Sequence, residues 1–392
     1  MHPNDLLQPV YPDESRSNLT IISSILESYG AGLAQPTCPE VDRMLKERPR
    51  RNLIFLLLDG MGSAILDSHL PAGGFLHSHK CADLTAVYPS TTVCVTSSFF
   101  SGIPPISHAW LAWQLYFAEW DQCIEMYSYR DAYFHEPVDL SQRNFLATME
   151  YESIFARIER IAPNAPEISC IYTDITRRRL TEQAGERLIF ASDFESLLMS
   201  TAKKCAEPGD HLIFAYWKSP DAILHPEGPR SETVTAFMES SDELLHQYTP
   251  TFADANLIVT ADHGMLEMNN HFSLDQYPDL DGLLRNYPAG DGRAKMLYVQ
   301  NGKEDLFAAR FQREFGNEFM LLSADEVLNK GLLGSGPIHP RTRGFLGDFL
   351  AIGISRSDLV YQPEGARPPK LFLGHHAGLT AAEMMVPLIL YG

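Results

Sequence analysis

Strand-sized apolar runs recur along this chain, with helix-patterned segments between several of them. In "RNLIFLLLDG" the apolar stretch Leu53–Leu58 is unbroken and ends at Asp59-Gly60. Such a run lacks the in-out alternation of a half-exposed strand, so it predicts a strand buried on both faces. Comparable runs are "ISCIYTD", "HLIFAYW", "ANLIVTA", "KMLYVQ", "FLAIGIS" and "VPLILYG", and "SDFESLLMSTAKKCA" and "SETVTAFMESSDELLHQY" carry helical spacing. Strands alternating with helices imply an α/β fold with a largely parallel sheet covered on both faces. "SNLTIISSILESYGAG" reads as an N-terminal helix, so residues 1–50 are expected to form a helical extension packed on a main domain of 51–392. The stretch 264–348 is less regular and richer in Gly, Pro and Asn, which suggests an insertion or small subdomain.

Composition excludes several classes. With 392 residues, 45% hydrophobic and 21% charged, the chain has ample material for a large core. A formal charge of −19 argues against a nucleic-acid or anionic-membrane surface. The basic runs Arg48–Arg51 and Arg177–Arg179 are short and read as solvated surface. The longest apolar run is far too short to span a bilayer. The polar start "MHPNDLLQPVYPDESRSNL" has no export pattern, and the six cysteines form no CxxC pair. Free buried thiols and a cytoplasmic setting are therefore expected.

Metal-type residues follow several strands. Asp59 closes the first run; Asp221 and His225 follow "HLIFAYW"; Asp262 and His263 follow "LIVTA"; and "LFLGHHAGL" carries His375 and His376. Asp221 and His225 are four apart and share a face if that segment is helical. Taken singly, each is as well explained by turn chemistry or a surface pair. Gathered at one sheet edge, the repulsion and desolvation of so many carboxylates and imidazoles become tolerable only around cations. Mixed O and N donors suit Zn²⁺ or Mn²⁺ better than Ca²⁺.

"YPSTTVCVTSSFFSGIPP" supplies the remaining chemistry. Ser90, Thr91 and Thr92 are helix-capping types, and Gly102 can close the helix that follows. One threonine could simply cap that helix, or it could be a nucleophilic hydroxyl at a helix N-terminus that favours an anion.

The order Asp-Gly, PSTT, Asp-x3-His, Asp-His-Gly and a C-terminal Gly-x-His resembles the alkaline phosphatase superfamily. Within it, the chain is most similar to the type I phosphodiesterase/nucleotide pyrophosphatase branch, over about residues 51–391. The resemblance implies two divalent ions, usually Zn²⁺. One would be held by Asp221, His225 and His376, the other by Asp59, Asp262, His263 and the oxygen of Thr92. Thr92 matches the nucleophile, which implies a phosphothreonine intermediate, and the backbone N–H of Val93 would help hold developing charge. Thr91 could take that part only if the loop register shifted. The implied activity is hydrolysis of a phosphodiester or nucleotide pyrophosphate in a small substrate such as a nucleotide. A phosphomonoesterase, a phosphonate hydrolase and an inactive metal- or phosphate-binding protein are the alternatives. Trp110, Trp113, Tyr116, Phe117 and Tyr277 could stack on a base or belong to the core.

Two departures from the family pattern stand out. Ala377 and Ala109 occupy positions where relatives usually or often have glycine. Register with Gly374 favours His376 as the ligand, leaving His375 as a neighbour.

Overall fold

The computed structural model describes residues 7–139, 149–173 and 178–392. A seven-stranded sheet forms the centre, in the order 80–85, 385–391, 255–260, 52–58, 211–217, 167–172, 188–190. Strand 52–58 lies between 211–217 and 255–260, parallel to both, with Leu56 opposite Ala215 on one side and Val259 on the other. Every residue of 52–58 is buried, as its unbroken apolar run requires; each fully buried Leu or Phe there contributes roughly 1.5–3 kcal/mol. Strand 385–391 alone runs against its neighbours. Its start therefore lies at the carboxyl edge of the parallel strands, which is where α/β sheets keep their ligands.

Helices cover the sheet. Leu19–Ser28 packs with both Pro39–Glu47 and Thr92–Ser101, while Ser63–His69, Phe194–Ala206 and Glu232–Tyr248 form a second group. Rings knit the first group to the strands: Phe55 meets Phe99 edge-on at 5.5 Å, and Phe100 meets Phe214 at 5.1 Å. The helix Thr92–Ser101 is buried along its whole length despite its hydroxyls. Thr96 and Ser101 donate to the carbonyls four residues back, both at 2.6 Å, so those hydroxyls are satisfied inside the helix.

Two of the seven strand-like runs lie outside the central sheet. "KMLYVQ" and "FLAIGIS" supply strands 294–297 and 349–353 of a four-stranded sheet ordered 289–291, 294–297, 349–353, 319–323, all antiparallel. With helix Glu304–Phe315 it builds a core of its own, including Phe307, Phe311, Phe315 and Leu297. An apolar run reports burial on both faces and carries no information about which sheet it joins.

Arg48, Arg50 and Arg178 are exposed as expected, whereas Arg51 and Arg179 are half-buried. Arg51 donates to the carbonyls of Cys205, Glu207 and Gly209, tying the entry of strand 52–58 to the entry of 211–217. Arg179 lies over the Trp110 ring at 4.4 Å, a cation–π contact that shelters it; Arg177 falls outside the described residues. Trp110 and Phe117 are core, whereas Trp113, Tyr116 and Tyr277 are half-buried. All six cysteines are free, and Cys81 is exposed rather than buried. Among the described residues, no helix is long and apolar enough to cross a membrane.

Candidate metal and phosphate site

Each polar side chain singled out above is delivered by the end of a strand or by a loop at the same edge. Asp59 follows strand 52–58, and its backbone is fixed on both sides: its N–H donates to Trp217 and its carbonyl accepts from Asp221 N at 2.9 Å. Asp221 opens a short helix, Asp221–Glu227, that brings His225 Nε2 to 3.3 Å from Asp221 Oδ1 one turn later. Asp262 and His263 leave strand 255–260 and turn at Gly264. A Cβ on Gly264 would lie 2.0 Å from the carbonyl oxygen of Ala382. Only glycine lets the two loops cross this closely.

The histidine tautomers separate candidate ligands from a neighbour. The ring Nδ1 of His225 donates to Gly374 O at 2.8 Å, that of His263 to Gly264 O at 2.9 Å, and that of His376 to Ser90 O at 3.1 Å. A carbonyl can only accept, so each Nδ1 carries a proton, and in the neutral ring each Nε2 presents a lone pair. His375 is the reverse: its Nδ1 accepts from the His376 backbone N–H at 2.9 Å, which leaves the proton on Nε2. His376 offers a ligand atom inward, whereas His375 Nε2 is a donor.

Two groups of donors stand close enough to share ions. Asp221, His263 and His376 form one, and Asp59, Asp262 and His263 the other, with the donor atoms of each group within 4.8 Å of one another. His263 belongs to both, and its ring stacks on that of His376. His225 lies outside these tight groups, although it touches Asp221. Asp262 Oδ1 accepts from Gly60 N and His263 N, both at 3.0 Å, while its buried Oδ2 accepts no hydrogen bond from the described residues. A dry carboxylate oxygen beside proton-free imidazole nitrogens is costly unless a cation sits between them, so this donor set fits divalent ions of the Zn²⁺ or Mn²⁺ kind. Burial opposes ionisation of Asp221, yet His225, His376 and His263 hold its carboxyl below the usual range. Burial and the neighbouring His263 push the His376 imidazole well down, keeping it neutral and ready to ligate.

Thr92 is the first residue of its helix, and Thr91 is the N-cap without a side-chain capping bond. Thr92 Oγ1 lies 3.2 Å from His263 Nε2 and 3.4 Å from Asp59 Oδ1. It therefore borders the second donor group. The N–H of Val93 lies in the first turn of the same helix, where backbone donors have no intrahelical partner.

Supporting residues escaped the reading of the sequence. Buried Asn18 donates to the carbonyls of Ala261 and Asp262 at 3.3 and 3.2 Å and accepts from Val87 N. Tyr216 donates its hydroxyl to Asp59 Oδ2. Ser90 donates to Gly378 O at 2.9 Å. Asp291 accepts from Trp113 N at 3.3 Å, and Arg293 pairs with Glu383. A buried-strand tyrosine and a helix-capping asparagine give no local signal of such reach.

A fold with Asp, Thr and His donors at this edge defines a phosphoester-hydrolase architecture of the alkaline phosphatase type. The family model of type I phosphodiesterase / nucleotide pyrophosphatase matches residues 53–318. The chain belongs to that family, whose members hydrolyse phosphoester bonds. Human ectonucleotide pyrophosphatase/phosphodiesterase 5 is similar in structure, with TM-score 0.63, 16% identity and 87% of each chain covered. The murine protein, an inactive threonine-to-alanine form in complex with AMP, gives 0.62 and 15%, again over 87% of each chain. Phosphonoacetate hydrolase from Sinorhizobium meliloti 1021, in complex with phosphonoacetate, gives 0.64 and 17%, covering 88% of this chain and 90% of its own. No curated protein sequence matches.

Proposed function

We propose that this protein hydrolyses a phosphodiester or nucleotide pyrophosphate bond of a small substrate, with Thr92 as nucleophile beside two divalent ions, Zn²⁺ first among them. The observation that carries this reading is the position of Thr92 Oγ1, at a helix start and within 3.4 Å of both Asp59 and His263. Asp221, His225 and His376 would hold one ion and Asp59, Asp262, His263 and Thr92 the other. When bound, such ions supply Lewis-acid activation of the attacking oxygen and charge stabilisation at the leaving oxygen.

The chain's own residues do the rest. Asp59 Oδ1 and His263 Nε2 orient the Thr92 hydroxyl, which releases its proton to solvent as Thr92 Oγ1 attacks phosphorus in line and the bond to the leaving oxygen breaks. Water then attacks the phosphorus, the bond to Thr92 Oγ1 breaks, and Oγ1 takes up a proton to restore the hydroxyl. Val93 N–H donates toward the phosphoryl oxygens as charge grows on them. Burial of the site removes competing water dipoles, which strengthens each of these contacts.

The AMP and phosphonoacetate complexes of the two structural neighbours support small phosphorylated substrates, and the second keeps phosphonate hydrolysis as an alternative on the same side chains. The test is turnover of bis-p-nitrophenyl phosphate, p-nitrophenyl phosphate and phosphonoacetate by metal-analysed protein, before and after chelation and return of Zn²⁺ or Mn²⁺. Chelator-sensitive preference for the diester supports the proposal. Preference for the monoester or phosphonoacetate replaces it with the corresponding alternative, and bound metal without any turnover favours an inactive binder.

A further inference from the structure

The four-stranded sheet reaches the site through one turn, Asp291–Gly292–Arg293, between strands 289–291 and 294–297. Its three residues touch three different neighbours. Asp291 accepts from Trp113 N, beyond the Thr92 helix. Gly292 backs onto His375, where an added Cβ would lie 2.8 Å from Nε2. Arg293 is completely buried. It donates from Nε to Glu383 Oε1 at 2.6 Å and from Nη2 to Glu383 Oε2 at 2.9 Å. Its remaining donors meet the carbonyls of Ser355, Ser357 and Gly353.

Glu383 passes this restraint to the histidine loop. Its carboxylate accepts from Gly378 N at 2.8 Å, Thr380 N at 3.3 Å and Thr380 Oγ1 at 2.6 Å. Gly378 is two residues from His376, and its carbonyl accepts from Ser90 Oγ while His376 Nδ1 donates to Ser90 O. One buried fork thus ties the four-stranded sheet to the loop of His376, and that loop to the segment that starts the Thr92 helix.

A buried ion pair adds little net stability over an apolar replacement, because desolvation offsets the attraction. What a planar, bidentate guanidinium does supply is a fixed orientation. We propose that Arg293, acting through Glu383, is a positioning residue that sets the His376 imidazole for the ion assigned to Asp221 and His376. The inference rests on the two-ion reading above. Groups that orient ligands without touching the metal commonly change its affinity by tenfold to a hundredfold.

The test titrates Co²⁺ into metal-free wild type, Arg293→Met, Arg293→Lys, Glu383→Gln, the Arg293→Met/Glu383→Gln double variant and Gly292→Ala. Visible absorption and chelator competition report the ion, and calorimetry of the metal-free protein reports stability. The expected result is one ion of two weakened about tenfold or more in Arg293→Met and Glu383→Gln. The double variant should be no weaker than the worse single one, and Arg293→Lys should recover part of the loss. Gly292→Ala, which presses on His375 and through it on the His376 backbone, should shift the Co²⁺ bands; it decides the matter if the charge variants do not fold. Wild-type affinity and bands in every folded variant, whatever their melting temperatures, would reduce the pair to scaffolding. A wild type that binds no Co²⁺ would instead overturn the two-ion reading on which the inference stands.

Discussion

The imidazoles of His263 and His376 lie face to face, ring centroids 3.7 Å apart and planes 19° apart. Each donates from Nδ1 to a backbone carbonyl, so their Nε2 atoms are both acceptors. Two stacked, buried rings bring the two donor groups into contact, since His263 is common to both. The account therefore predicts two ions per chain. His376→Ala should lose one of them, while His375→Ala, whose Nε2 bears a proton, should retain both. Metal content by mass spectrometry after gel filtration checks this; equal losses in the two variants would undo the tautomer argument.

Thr92 and Thr91 differ in what they touch. Thr92→Ala should keep its fold and metal yet lose about 10³-fold or more in kcat, the scale seen when a nucleophile is removed. Thr91→Ala should lose far less, because the Thr91 side chain makes no capping bond. Steady-state rates at saturating substrate distinguish the two, and the opposite ranking would move the nucleophile by one residue.

The two alanines at family glycine positions carry left-handed backbone: φ is 61° at Ala109 and 88° at Ala377. A Cβ there costs about 1–2 kcal/mol, against about 0.8 kcal/mol gained by burying a methyl. Ala109→Gly and Ala377→Gly are each expected to stabilise the protein by about 0.2–1.2 kcal/mol. Denaturant midpoints measure it, and a destabilised glycine variant would show that the surroundings compensate the alanine fully.

Much of this was legible in the sequence, for identifiable reasons. Leu53–Leu58 announced a doubly buried strand because nothing in it alternates, and Asp59 and Asp262 stood out because a carboxylate after such a strand meets the sheet edge. "KMLYVQ" and "FLAIGIS" misled because an apolar run does not encode its partner strand. Asn18 and Arg293 were invisible because their bonds close over 244 and 90 residues of chain. A hydrogen bond of that reach leaves no periodicity to read.

His108 gives a pH dependence independent of metal. Burial, with His339 adding to it, pushes its imidazole down to about 3 from an ordinary 6.5. Trp110 N donates to its Nδ1, so the neutral ring donates from Nε2 to Ser98 Oγ. The unfolded chain therefore takes up a proton below pH 6.5 that the folded chain refuses. Stability from this group is level above pH 6.5 and falls between 6.5 and 3, by about 1.4 kcal/mol per pH unit. His108→Asn should flatten that acid limb by about one proton. Urea unfolding at several pH values compares the slopes, and identical slopes would mean that His108 protonates freely when folded.

The central claim is covalent chemistry at Thr92. Acid quenching during turnover of bis-p-nitrophenyl phosphate, followed by peptide mass spectrometry, reads it directly. The account predicts a phosphoester on Thr92 that disappears after chelation and in Thr92→Ala. Chelator-sensitive turnover with the adduct on another residue, or with no adduct under conditions that trap the intermediate, would contradict it.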